Sequence, residues 1–294
     1  TGDYNVVIGF QAADNLSGDA DNNIAIGQSA LGAIGAGATI SNIAIGPFAL
    51  MAQNTAGLRN LAIGGNAGLA ITSGTQNVLI GHEAGSTLAA AASTTGSNCT
   101  AVGFNALKMT TGIANTASGC EALAKVAGGQ DNTAVGYRAL YEADGLESFN
   151  TAVGFGALQE LEIADGDHNS GFGRNAGRFT AGVAAVIDVR EGTYLGSSTH
   201  PSAATAVENE TAIGYDATGQ GADTVTLGNA DVTDIYAAQD SGATIHCGGI
   251  IEVGGALKEN LLTNSGFDVW SNSTLAVVST PYSDTDGSSH ASWS

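Results

Sequence analysis

Short runs of aliphatic and β-branched residues alternate with a small residue along most of this chain, each bounded by Asn on one side and Gly on the other. In Ile24-Ala25-Ile26, Ile43-Ala44-Ile45 and Thr133-Ala134-Val135 the outer positions are β-branched and the middle one is Ala. Alternation with period two predicts a short strand, about four or five residues long. The glycine that follows predicts a corner with positive φ or a close backbone approach.

The unit is repeated. With glycine as the register mark it recurs at Gly9, Gly27, Gly46, Gly64, Gly81, Gly103, Gly119, Gly136, Gly154, Gly173, Gly196, Gly214 and Gly228. Steps between marks average about eighteen residues, and the segment between units varies in length. Four residues before the glycine stands Asn in most copies: Asn5, Asn23, Asn42, Asn60, Asn77, Asn115, Asn132, Asn150 and Asn169. Cys99, Gly192, Glu210 and Thr224 occupy that slot elsewhere, and Ala usually stands three residues after the glycine. A strand, a corner and a return at this period make one coil of a solenoid, whose apolar face is buried only when coils stack. The expected fold is all-β, a parallel β-solenoid of about thirteen coils with each strand roughly 4.8 Å above its predecessor. Stacked asparagines would hydrogen-bond from coil to coil. Helix is not expected, because Gly interrupts each Ala/Leu-rich run, and the forty-three glycines follow no collagen period.

The phrase N-[TI]-A-[VI]-G-x-x-A-L, over Asn5 to Gly228, resembles the head repeats of trimeric autotransporter adhesins and the repeats of bacteriophage tail fibres. That resemblance implies a left-handed β-roll, three chains side by side in a stiff rod, and no catalysis. The uniform Ala column is expected to be the face along which neighbouring chains approach. Residues 1–228 form the repeat rod and 229–258 a transition segment resembling the end of a tail-fibre rod. The stretch Glu259–Asn272 resembles the opening strand of a jelly-roll, carbohydrate-binding-like module, so 259–294 would begin an incomplete distal module. The implied role is a virion tail-fibre spacer that partners itself, other tail proteins and, through the distal module, a host-surface glycan. Alternatives are a bacterial surface adhesin and a glycan-depolymerising tailspike.

Composition narrows the partners. Eight basic residues against twenty-eight acidic ones give a net charge of −20. Such a surface repels phosphate backbones and anionic lipid, so neither nucleic-acid binding nor membrane insertion is expected. No apolar run of membrane-spanning length and no signal peptide is visible. Cys99, Cys120 and Cys247 have no ligand spacing and read as small buried apolar residues.

Candidate chemistry is sparse. The carboxylates Glu142, Asp144 and Glu147, then Glu160, Glu162, Asp165 and Asp167, lie in inter-unit loops and read as solvated charge rather than a glycosidase pair. Loops Tyr141–Phe149, Gln159–His168 and Phe179–Gly192 are expected to project from the rod. Segments Asp165–Asn169 and Gly18–Asn23 lack the Gly and Glu that a calcium-binding EF-hand loop needs. His82, His168, His200, His246 and His290 read as exposed loop residues, with axial ion binding as the lesser reading. Sequons at Asn15, Asn98, Asn209 and Asn272 fit chance in a chain rich in Asn, Ser and Thr. No cofactor, metal or catalytic residue is assigned. Tyr137, Phe104, Phe155, Phe10 and Tyr215 directly follow the glycine and should pack along or ring the rod.

Overall fold

The computed structural model describes residues 3–236 apart from 17–19, 33–39, 53–58, 73, 88–95, 110, 127, 143–146, 162–165, 181 and 183–187. It divides into a unit Thr1–Ile235 and a unit Tyr236–Ser294. The expected distal module at 259–294, most of the transition segment, and Cys247, His246, His290 and Asn272 lie outside the described residues, as do Asp144, Glu162 and Asp165.

The repeat builds a parallel β-solenoid, and no helix occurs among the described residues. Thirteen of its strands form one sheet: β1 (Val6–Ile8), β2 (Ile24–Ile26), β3 (Ile43–Ile45), β4 (Leu61–Ile63), β5 (Val78–Ile80), β6 (Thr100–Val102), β7 (Thr116–Ser118), β8 (Thr133–Val135), β9 (Thr151–Val153), β10 (Ser170–Phe172), β12 (Thr193–Leu195), β14 (Thr211–Ile213) and β15 (Val225–Leu227). They pair in chain order, all parallel. Register is strict: Ile24 opposes Ile43, Ala25 opposes Ala44 and Ile26 opposes Ile45, and the same slots match at later steps. Two further strands, β11 (Val189–Arg190) and β13 (Val207–Glu208), pair on the returning side of the coil. Each strand of the thirteen-stranded sheet has three residues and the two returning strands have two, shorter than the expected four or five. The backbone turns at once at the glycine that follows.

Gly27 explains that turn. Its φ is +131°, and a Cβ placed on it would lie 2.6 Å from the carbonyl oxygen of Gly46 in the next coil. Backbone passes backbone there, so any side chain would push the coils apart. Non-glycine residues enter the left-handed region too, past the glycine at Arg138 (φ 53°) and Leu140 (φ 49°) and just before the asparagine at Asp131 (φ 57°). Each such residue costs energy in isolation and persists because neighbouring coils over-determine it.

The core lies inside the coil and is built from columns. The middle strand residues Ala44, Ala62, Ala101, Ala134 and Ala152 are fully buried, as are Ala49, Ala106, Ala139 and Ala157 beyond the corner and Leu50, Leu107 and Leu140 next to them. Each buried Leu contributes about 1.5–3 kcal/mol of apolar transfer. The Ala column is therefore not the surface along which chains approach. It faces inward against Leu and Ala of its own chain, and the coil is too thin for a larger residue at most levels. The β-branched first and third strand positions point outward instead.

Backbone groups of each coil pair in both directions along the stack. Gly27 N–H donates back to Ile8 O at 2.8 Å and Ile24 N–H forward to Asn42 O at 2.8 Å. End strands have one neighbour only, and β1 accordingly exposes all three of its residues.

Candidate functional site

The asparagine slot is buried and serves the backbone more than it stacks amide on amide. Asn132 is typical. Its Oδ1 accepts the backbone N–H of Asn150 at 2.9 Å, and its Nδ2 donates to the Glu147 carbonyl at 2.8 Å on the returning leg. Its own N–H reaches Asn115 Oδ1 at 3.0 Å. Asn42, Asn60, Asn77 and Asn169 repeat the backbone-to-Oδ1 bond at 2.8–3.0 Å. Asn5 begins this series by accepting from Asn23 N–H at 2.8 Å. One side chain thus satisfies the strand start of the next coil and holds the loop that closes the turn, both away from water.

Departures from Asn keep part of this pattern. Cys99 N–H donates to Asn77 Oδ1 at 2.9 Å, and burial pushes its thiol up to about 11. Gly192 N–H donates to Asn169 Oδ1 at 2.8 Å. Glu210 is fully buried, and its carboxylate accepts from Tyr194 Oη at 3.1 Å, Ser202 N–H at 3.1 Å and Gly221 N–H at 2.9 Å. Burial raises the Tyr194 phenol above its ordinary range. No sequence signal marked Glu210 as more than an interruption of the Asn series.

The outer face of the sheet is exposed along its length. Its third-position column runs Ile8, Ile26, Ile45, Ile63, Ile80, Val102, Ser118, Val135, Val153, Phe172, Leu195, Ile213 and Leu227, half-buried or exposed throughout. The first-position column beside it is aliphatic from Val6 to Val78 and mostly Thr from Thr100 to Thr211. Interrupted only by Ser118, an apolar stripe of this length on one face is what association surfaces look like.

Beside the stripe, on the corner after the glycine, lies a column of side chains in register: His82, Phe104, Cys120, Tyr137, Phe155 and Arg174. Phe104 stacks on His82 with centroids 5.8 Å apart, and Tyr137 on Phe155 at 5.1 Å. The Arg138 guanidinium covers both Tyr137 and Tyr141 at about 5 Å. The expected packing of aromatics along the rod is observed for these rings. Cys120 stands half-buried in this outer column, not in the core where its residue type pointed; Cys99 alone of the two described cysteines is buried.

Of the described candidate carboxylates, Glu142, Glu160 and Asp167 bond to neighbouring coils. Glu142 pairs with Lys125 at 2.7 Å and Glu160 with Arg178 at 2.7 Å, each bridging coils. Asp167 Oδ1 accepts Ser148 N–H at 2.6 Å, and Glu147 is fully buried. Among the described residues no three His, Cys, Asp or Glu gather as a metal site. His82 and His168 are exposed and stacked on Phe104 and Phe149. His200 differs from the expected exposed loop histidine: its Nδ1 lies 2.7 Å from Phe179 O and its Nε2 3.1 Å from Asp216 Oδ1, which ties three consecutive levels together. No helix among the described residues is long and apolar enough to cross a membrane. No protein-family model matches the chain, and neither curated proteins nor solved structures give a match.

Proposed function

We propose that the chain is a structural fibre protein, a rigid homotrimeric spacer of a bacteriophage tail fibre that presents a distal receptor-binding module to a host-surface glycan. The observation that carries this reading is the apolar outer stripe from Ile8 to Leu227, laid on a stack held in register at every level. A solenoid of this kind resists bending because each coil is bonded to both neighbours, and it exposes only two strand edges, at its ends. The stripe needs a cover of the same length and periodicity, and parallel copies of the chain supply one. Three-fold association and the left-handed sense come from the resemblance of the repeat phrase, as do the tail-fibre setting and the glycan-binding tip. Buried asparagines and inter-coil ion pairs fit a mechanical role, since each bonds one level to the next rather than lining a cleft. Sedimentation equilibrium of the full chain tests the reading: a trimer that persists at micromolar concentration supports it, and a stable monomer overturns it.

A further inference from the structure

We infer that copies of the chain dock with a fixed hand: the first-position column of one copy packs on the post-glycine corner column of the next at the same level, with Leu61 of one copy seated over Gly65 of its neighbour. This rests on the reading that copies cover the outer face. Register builds the seat. Asn66 N–H donates to Pro47 O and Glu83 N–H to Gly65 O, each at 2.9 Å, so Pro47, Gly65 and His82 stand one above another on the corner. Gly65 is half-buried, and its own coil gives no reason for glycine. Its φ is not positive, and a Cβ added to it would meet only side-chain atoms, His82 Cδ2 at 3.3 Å and Pro47 Cγ at 3.6 Å. The side chain that Gly65 lacks leaves room between Pro47 and His82 for a group from outside the chain.

Sizes in the two columns compensate level by level. A bulky first position goes with a compact corner at Ile43 with Pro47 and at Leu61 with Gly65. The order reverses at Thr100 with Phe104, Thr133 with Tyr137 and Thr151 with Phe155. Val78 with His82 is bulky at both. Within one chain these partners do not meet, because the third-position residue stands between them and the strand rise sets them about 10 Å apart. A constraint on their summed size therefore acts between chains, where close packing demands it. The hand follows from unlike edges of the face. The corner after the glycine exposes Phe104 and Phe155 at 48% each. The corner before the asparagine carries exposed polar side chains at most levels, as at Asn22, Gln76 and Asp131. A face with unlike edges closes heterologously, each copy giving its first column to one neighbour and its corner to the other. A stagger of one level would drive Leu61 onto Pro47 or His82, so the copies stand level.

Sedimentation of the full chain tests this, in urea that leaves the parent assembly half dissociated. Gly65→Leu fills the seat and should raise the dissociation constant at least about tenfold while circular dichroism keeps its β signature. Adding Leu61→Ala to Gly65→Leu withdraws the incoming group and should bring the constant back to within about threefold of the parent. Parent-like assembly of Gly65→Leu alone overturns the inference. So does weakening that Leu61→Ala leaves unrelieved, because the clash would then lie within one chain. Should Gly65→Leu lose its β signature, the opposite exchange decides: Tyr137→Ala should loosen the assembly about tenfold, and Thr133→Leu added to it should restore it. No recovery there overturns the inference as well. A parent chain that is monomeric without urea removes the spacer reading itself, whereas an intact parent assembly with either adverse result removes this docking alone.

Discussion

Replacing Asn132 with Ala isolates what the buried asparagine does. Two backbone groups lose a hydrogen bond: the Asn150 N–H, now held at 2.9 Å, and the Glu147 carbonyl, held at 2.8 Å. Both Asn132 and Asn150 are buried, and each buried bond lost without replacement costs about 1–3 kcal/mol. The sum is roughly 2–6 kcal/mol, and at 1.4 kcal/mol per decade its lower end is about a thirty-fold rise in local opening. In a solenoid each coil contacts only its neighbours, so the loss should stay local. Amide hydrogen exchange read residue by residue is the assay. Exchange at Asn150, Thr151 and Thr133 should accelerate by that factor or more, while β2 and β3 keep their protection. Asn150 protection within about threefold of the parent would refute the reasoning, because the side chain would then be ornament on a ladder that holds itself. Equal acceleration at every level would refute the local-coupling half.

Other consequences are as direct. Gly136→Ala forces a Cβ to 2.5 Å from Gly154 O at φ +130°, so the coil should lose at least about 3 kcal/mol, and an unchanged denaturation midpoint would contradict the close-approach argument. Ile45→Glu with Ile63→Glu places two charges on the outer stripe; sedimentation should show dissociation while circular dichroism keeps its β signature, and an intact oligomer would move the interface elsewhere. For Cys99 the folded thiol lies near 11 against an ordinary 9.0. A raised value favours the protonated form, so this contribution of roughly 2–3 kcal/mol is complete below about pH 9 and disappears as pH climbs through about 11. Cys99→Ala should flatten that alkaline decline in a denaturant titration, and an unaltered decline would assign it to other groups.

Period and register were legible in the residues because both are written at single positions. Gly marks a level where no side chain fits, as at Gly27, and Asn marks a level where one side chain must accept and donate at once, as at Asn132. Which strand face turns inward was not legible, and the inference from the Ala column was reversed. A run such as Ile43-Ala44-Ile45 suggests that the bulky pair is buried against something and that Ala marks a contact between chains. In a coil this thin the interior at that level admits only Ala, and the bulky pair is left outside. Left-handed residues such as Leu140 and Arg138 were invisible because neither type favours positive φ; the conformation is imposed by the levels above and below. The aromatic column could be read from the slot after the glycine, but the cover that Arg138 lays over Tyr137 and Tyr141 could not. Glu210 shows the opposite limit. Its buried carboxylate is made tolerable by three donors from separate segments, and nothing local announces them.

The central claim is that chain position advances along an axis by one strand spacing per repeat. Nitroxide pairs on the exposed corner residues test it by dipolar spectroscopy, in a background lacking Cys99, Cys120 and Cys247, with labelled chains diluted into unlabelled ones. Labels replacing Gln28 and His82 are three levels apart, those at Gln28 and Arg174 eight, and those at Gln28 and Tyr215 ten. Distances of about 14, 38 and 48 Å, rising in proportion to the number of levels, are predicted. Distances that fail to grow with level, or a Gln28–Tyr215 separation under about 30 Å, would show that the repeats do not stack.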